Sequence, residues 1–142
     1  MSTEAAPQLE GVIETALYVR DMAAARAFYV DVLGCVPMLD ADRVVALSVA
    51  GRSVLLLFQA GSSERPVTAA GGIVPGHGAR GVQHMAFAIG RDQVAPWLQR
   101  LEAAGIGIES RVSWTRGGES LYVRDPDGHS VELATPGVWP SY

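Results

Sequence analysis

The sequence predicts an α+β fold made of two tandem copies of one unit, each ordered strand, helix, strand, strand, strand. Three observations predict it. An opening strand recurs at an offset of 70 residues, a helix at an offset of 71, and a turn with its following strand at an offset of 77. The 142 residues are about one domain by length. With 49% hydrophobic and 18% charged residues, the chain has the apolar content for a buried core, which a disordered chain lacks.

The opening strands are Gly11-Val12-Ile13-Glu14-Thr15-Ala16-Leu17-Tyr18-Val19 and Gly81-Val82-Gln83-His84-Met85-Ala86-Phe87-Ala88-Ile89, which share Gly, Val and Ala at matched places. Each is followed by a helix with one apolar stripe at i, i+3, i+4, i+7: Ala25, Phe28, Tyr29, Val32 and Leu33 in the first half, Val94, Trp97, Leu98 and Leu101 in the second. Asp21 and Asp92 are the expected N-caps and Gly34 and Gly105 the expected C-terminal stops; Pro96 is tolerable near a first turn. Arg43–Ala50 and Ser53–Gln59 read as strands joined by a Gly51-Arg52 turn. Glu119–Arg124 and His129–Ala134 read as strands joined by Asp125-Pro126-Asp127-Gly128. Gly51-Arg52-Ser53-Val54-Leu55-Leu56 matches Gly128-His129-Ser130-Val131-Glu132-Leu133 at four of six positions. The units run over about 11–60 and 81–135. The glycine- and proline-rich 61–80 reads as a linking loop, and 1–10 and 136–142 as tails.

Composition excludes several function classes. Eleven basic against fifteen acidic residues give a net charge of −4, which lacks the basic footprint of a nucleic-acid binder. The apolar run Val54–Phe58 is five residues, far short of the ~20 needed for a membrane helix. Residues 1–10 hold two glutamates and no lysine or arginine, unlike a secretory signal. The single Cys35 cannot form an internal disulfide and is expected reduced and buried in a cytoplasmic protein.

The repeat places Glu14 and His84 at equivalent positions and sets Glu132 opposite Leu55. Period-two alternation puts Glu14, Ala16 and Tyr18 on one face, with His84, Ala86 and Ala88, and Ser130, Glu132 and Ala134, on the matching faces. A polar residue among small ones suits the floor of a cup. Two carboxylates and an imidazole suit one divalent metal ion with coordination positions left for water and substrate, and the oxygen share favours Mn or Fe within a field that also holds Ni and Zn. Taken singly, each of the three also fits a blander role: a solvated glutamate, a half-buried core histidine, a strand-end glutamate.

Leu17-Tyr18-Val19-Arg20-Asp21, Ala27-Phe28-Tyr29 and Val32-Leu33-Gly34, with Tyr122 through Leu133, resemble the opening and closing motifs of the vicinal oxygen chelate superfamily. That group includes glyoxalase I, fosfomycin-resistance enzymes, bleomycin-resistance proteins and extradiol dioxygenases. The resemblance implies paired βαβββ modules in a cupped mixed sheet around a divalent metal, with ligands at Glu14, His84 and Glu132. It also implies a homodimer that in several members exchanges modules, so that Glu14 comes from the second subunit. Glyoxalase I carries a fourth ligand, a glutamate, in the strand that here holds Leu55, which cannot ligate.

Ser120 and Tyr122 share the face expected beside Glu132, where they would hydrogen-bond a small-molecule substrate; the alternative for Tyr122 is a packed sheet aromatic. Trp114 and Arg116 flank the Gly117-Gly118 turn as a lip or as an ordinary exposed loop. His77 is a substrate-side proton shuttle or a flexible linker residue. The leading reading is a glyoxalase-like lyase or isomerase, in which a divalent metal chelates substrate oxygens and stabilises an enolate or oxyanion, with Glu132 or Glu14 as base. The alternatives are an iron-dependent extradiol-type dioxygenase and a non-catalytic ligand-sequestering dimer of the bleomycin-resistance type.

Overall fold

The structure, a computed structural model, describes residues 4–142. The expected N-terminal tail therefore begins outside the described residues, at 1–3, and continues as exposed chain without regular secondary structure. Each half forms a four-stranded mixed sheet with the same topology. In the first half β1 (Glu14–Val19) pairs in parallel with β4 (Ser53–Gln59), which pairs antiparallel with β3 (Val44–Val49), which pairs antiparallel with β2 (Val36–Asp40). The second half repeats this with β7 (His84–Ala88), β10 (Ser130–Ala134), β9 (Glu119–Arg124) and β8 (Ser110–Ser113). Segment 61–80 is not only loop. Val67–Ala69 and Gly72–Val74 form a hairpin, β5 and β6, whose three-residue strands are too short to show a period.

Helix α1 (Met22–Arg26) starts where expected, because Asp21 Oδ1 accepts the Ala24 N–H at 3.0 Å. It then widens into a π-helical turn over Ala27–Val32, with Leu33 N–H bonded to Phe28 C=O, and Gly34 ends it at φ +80°. Both Phe28 and Tyr29 are buried there, with ring centroids 4.9 Å apart in an edge-on pair. The second helix departs from expectation at its start. Asp92 does not cap it; Arg91–Gln93 make a 3₁₀ turn behind Gly90, and α2 (Val94–Ala103) follows with Pro96 in its first turn. The β3–β4 turn is also shifted by one residue. Its central pair is Ala50 and Gly51, both at positive φ (53° and 66°), closed by Arg52 N–H to Val49 C=O at 3.0 Å.

One core serves both halves. Leu17, Val19, Val45, Leu47, Leu55 and Leu57 from the first sheet join Leu121, Val123, Val131 and Leu133 from the second, with Phe28, Tyr29, Val94 and Leu101 from the helices. Truncating any of its leucines to alanine would cost about 2–5 kcal/mol. Cys35 belongs to this core, and burial pushes its thiol up to about 11.

The Asp125–His129 turn ties the modules together. Tyr29 Oη–H donates to Asp125 Oδ2 at 2.8 Å, and burial, reinforced by the Asp125 charge, drives the phenol far above its usual range. His129, 3% exposed, bridges two backbones. Its Nδ1 accepts the Gln83 N–H at 3.0 Å and its Nε2–H donates to Tyr18 C=O at 2.7 Å. Arg20, through N–H and Nε, reaches Asp127 Oδ1 at 2.8 and 3.2 Å.

Candidate metal centre

The core-facing side chains define the opposite faces as the ones left for chemistry. On the second sheet that face carries His84 and Ala86 (β7), Ser130 and Glu132 (β10), and Ser120 and Tyr122 (β9), with Glu132 paired to both Ala86 and Tyr122. Alanine at position 86 leaves space beside the carboxylate.

His84 and Glu132 converge, with Nε2 3.4 Å from Oε1; the Glu132 side chain is 9% exposed and that of His84 53%. His84 Nδ1 lies 3.0 Å from Ser130 C=O, which can only accept, so Nδ1 carries the proton. Nε2 is then the ring nitrogen turned toward a carboxylate oxygen. An imidazole nitrogen and a carboxylate oxygen at this separation are donor types that a divalent cation takes. A carbonyl behind the imidazole fixing its tautomer is how metal-ligating histidines are commonly held. By this chemistry of the donors, the pair fits a divalent metal.

The remaining Glu132 oxygen, Oε2, accepts from Ser120 Oγ–H at 2.5 Å, and Ser120 Oγ accepts from Trp114 Nε1–H at 2.8 Å. Ser120 is fully buried and its hydroxyl is engaged on both sides. It is placed to support the carboxylate. The Tyr122 ring stacks near His84, centroids 6.4 Å apart at 26°. Desolvation, then the Glu132 charge, holds its phenol above the ordinary range, so it stays protonated.

Glu14 lies elsewhere. It is exposed, opposite Val54 on the first sheet, and shares a cavity of about 540 Å³ between β1 and β7 with His84, Ala86, Leu17 and Phe87. Among the described residues, no three His, Cys, Asp or Glu side chains of one chain gather closely enough to hold a metal. His77 is not a free linker residue. Its Nδ1 is 2.5 Å from Tyr18 Oη, and its ring meets Phe58 edge-on at 4.6 Å. This cluster lies on the first sheet's outer face with Glu14, since Tyr18 alternates with Glu14 and pairs with Phe58. Sequence reasoning missed the role of Phe58, whose signal was its alternation with Val54 and Leu56. Arg116 is exposed in the turn between β8 and β9.

One expected equivalence is corrected. Sheet register matches Glu14↔Val54 with His84↔Ser130, so the counterpart of Glu132 is Leu56, not Leu55. Leu55 points the other way and is fully buried in the core. Leucine again offers no fourth ligand.

Residues 11–133 match the family model described as the glyoxalase/bleomycin resistance protein/dioxygenase superfamily. The chain belongs to that superfamily. A crystal structure of lactoylglutathione lyase from Agrobacterium tumefaciens is 37% identical, with a TM-score of 0.85, over 94% of this chain and 99% of that one. Catechol-2,3-dioxygenase of Bacillus subtilis (strain 168) is 30% identical over 121 residues, 82% of this chain but 38% of the dioxygenase. Metallothiol transferase FosB of Staphylococcus saprophyticus is 29% identical over 119 residues, 82% of this chain and 71% of the transferase. The chain thus spans less than half the length of the dioxygenase. Superfamily members are mostly metalloenzymes that use divalent metals, and the neighbours of this chain include a lyase, a dioxygenase and a transferase. Among the described residues no helix is long and apolar enough to cross a membrane.

Proposed function

We propose that this chain is a divalent-metal-dependent enzyme of the glyoxalase-like type, carrying out lyase or isomerase chemistry on a small molecule with two neighbouring oxygens. The observation that carries the reading is the convergence of His84 Nε2 and Glu132 Oε1, 3.4 Å apart, with Nδ1 held by Ser130 C=O. A divalent cation bound there, Mn or Fe by ligand type, would supply the Lewis acidity that stabilises a developing oxyanion or enolate. Glu14 of a second copy of the chain completes the ligand set in a homodimer. Its exposure, at the first-sheet position equivalent to His84, supports this. Tyr18 and His77 accompany it to the far wall of the same cup. Tyr122 keeps its proton and donates it in a hydrogen bond to a substrate oxygen beside Glu132. Glu132 is held by Ser120, so of the two carboxylate ligands Glu14 is the one that could leave the metal to take a proton from the substrate.

The similarity to catechol-2,3-dioxygenase favours a second reading, an iron-dependent extradiol-type reaction at the same residues. Metal analysis of protein purified without chelator, followed by titration with Mn²⁺, Fe²⁺, Ni²⁺ and Zn²⁺, tests both. About one metal per chain is expected, lost in His84→Ala and Glu132→Ala. Oxygen uptake with the Fe²⁺ form and a catechol would favour the dioxygenase. Failure to bind any of the four metals would refute both and leave a ligand-sequestering dimer.

A further inference from the structure

We infer that Trp114 and Ser120 are positioning residues that fix how Glu132 presents itself to a metal; this rests on the metal-site reading above. An indole N–H can only donate, so Trp114 at 2.8 Å makes Ser120 Oγ an acceptor on that side. Ser120 has one proton of its own, and it goes to Glu132 Oε2 at 2.5 Å. The direction of the wire is set by its outer end: indole to hydroxyl to carboxylate. With Oε2 occupied, the carboxylate cannot spin, and Oε1 is the oxygen left facing His84 Nε2. Glu132 would therefore offer Oε1 to a metal, and the choice of that oxygen traces back to Trp114.

The indole is itself held in place. Trp114 N–H bonds to Gly118 C=O at 2.8 Å, and Gly117 N–H returns to Trp114 C=O at 3.0 Å, with Gly117 at φ +86°. Gly118 has no space for a Cβ, which would sit 2.3 Å from Val138 N and 2.4 Å from Gly137 C. The C-terminal segment thus presses on the turn that aims Trp114. The Trp114 side is accessible, 41% exposed, while Ser120 and Glu132 are buried. The wire runs from the surface to the proposed metal centre.

Isothermal titration of the full chain with Mn²⁺ tests this, comparing unsubstituted protein with Trp114→Phe, Ser120→Ala and Ser120→Thr. Partners behind a metal ligand are typically worth about 10–100-fold in metal affinity. Ser120→Ala should weaken Mn²⁺ binding by about that factor, Trp114→Phe measurably, and Ser120→Thr, which keeps the hydroxyl, should recover most of the loss. Trp114→Phe keeps the ring at a partly exposed position, so its metal-free unfolding temperature should hardly move. Unchanged Mn²⁺ affinity in both Trp114→Phe and Ser120→Ala, with the unsubstituted protein binding normally, overturns the inference and leaves the metal-site reading standing. So does a Ser120→Thr protein as weak as Ser120→Ala. No Mn²⁺ binding by the unsubstituted protein overturns the metal-site reading, and this inference with it.

Discussion

Replacing His129 by alanine tests whether the closing turn holds the modules together. The ring satisfies two backbone groups from different halves, the Gln83 N–H and the Tyr18 C=O. Alanine leaves both without a partner in a half-buried seam. A buried polar group left unpaired costs about 1–3 kcal/mol, and the partial burial here favours the lower end, so the pair should cost about 2–4 kcal/mol. At about 3–4 °C per kcal/mol for a chain of this size, the unfolding temperature should fall by about 6–16 °C. A graded series sharpens the test. Asparagine places an oxygen where Nδ1 accepts but cannot reach Tyr18; glutamine places an NH₂ where Nε2 donates but offers Gln83 nothing. Each should recover about half of the loss. Urea unfolding at constant pH, with the slope m checked for constancy, measures all four proteins. A loss below about 0.5 kcal/mol for alanine, or asparagine and glutamine no better than alanine, would refute the clasp.

Ala50→Gly should stabilise the protein. Ala50 sits at φ +53°, where an L-residue is strained by about 1–2 kcal/mol, and glycine's extra unfolded-state entropy cancels about 0.4–1 kcal/mol of that relief. A net rise of a few °C by calorimetry is expected, and a fall would contradict the turn geometry. Cys35 should resist aromatic disulfide reagents at pH 8 in the folded protein and react at once in denaturant. Because burial raises its thiol to about 11, above the unfolded value near 9, its contribution to stability is complete below pH 9. That contribution is lost as pH rises from 9 through 11, and Cys35→Ala should flatten that part of the pH–stability curve. Rapid labelling of the native thiol at pH 8 would show it is not buried.

Much of the fold was legible because the repeat is written in alternation. Leu17 and Val19 on one face, with Glu14 and Ala16 on the other, announce which side meets the core, and β4 and β9 have the bounds that β-branched and aliphatic runs suggested. What the sequence hid was register. The Gly-x-Ser-Val match aligned Leu55 with Glu132, but the two hairpins have connections of different length, a tight Ala50-Gly51 turn against the longer Asp125–His129 loop. Counting from β1 and β7 instead moves the equivalence to Leu56, and a one-residue slip reverses the face. The π-helical turn was hidden too, since an apolar stripe at i, i+3, i+4 fits it as well as an α-helix. At the site, His84 with Glu132 was legible from residue type and alternation, whereas the bond from Trp114 to Ser120 depends on a turn that brings residues six apart into contact.

The Asp125–His129 loop has a consequence for anyone scanning this chain by mutation. It is the stretch most easily taken for a signature of chemistry, yet its side chains spend their hydrogen bonds on Tyr29, Tyr18, Gln83 and Arg20. The matching Ala50-Gly51 turn in the other half is short and closed by its own backbone, through Arg52 N–H to Val49 C=O. Screens that score turnover alone will rank these residues with His84 and Glu132. Counting folded molecules first will separate the two groups: damage to this loop should lower how much protein survives, and damage at His84 or Glu132 should, under the proposed function, lower what each surviving molecule does.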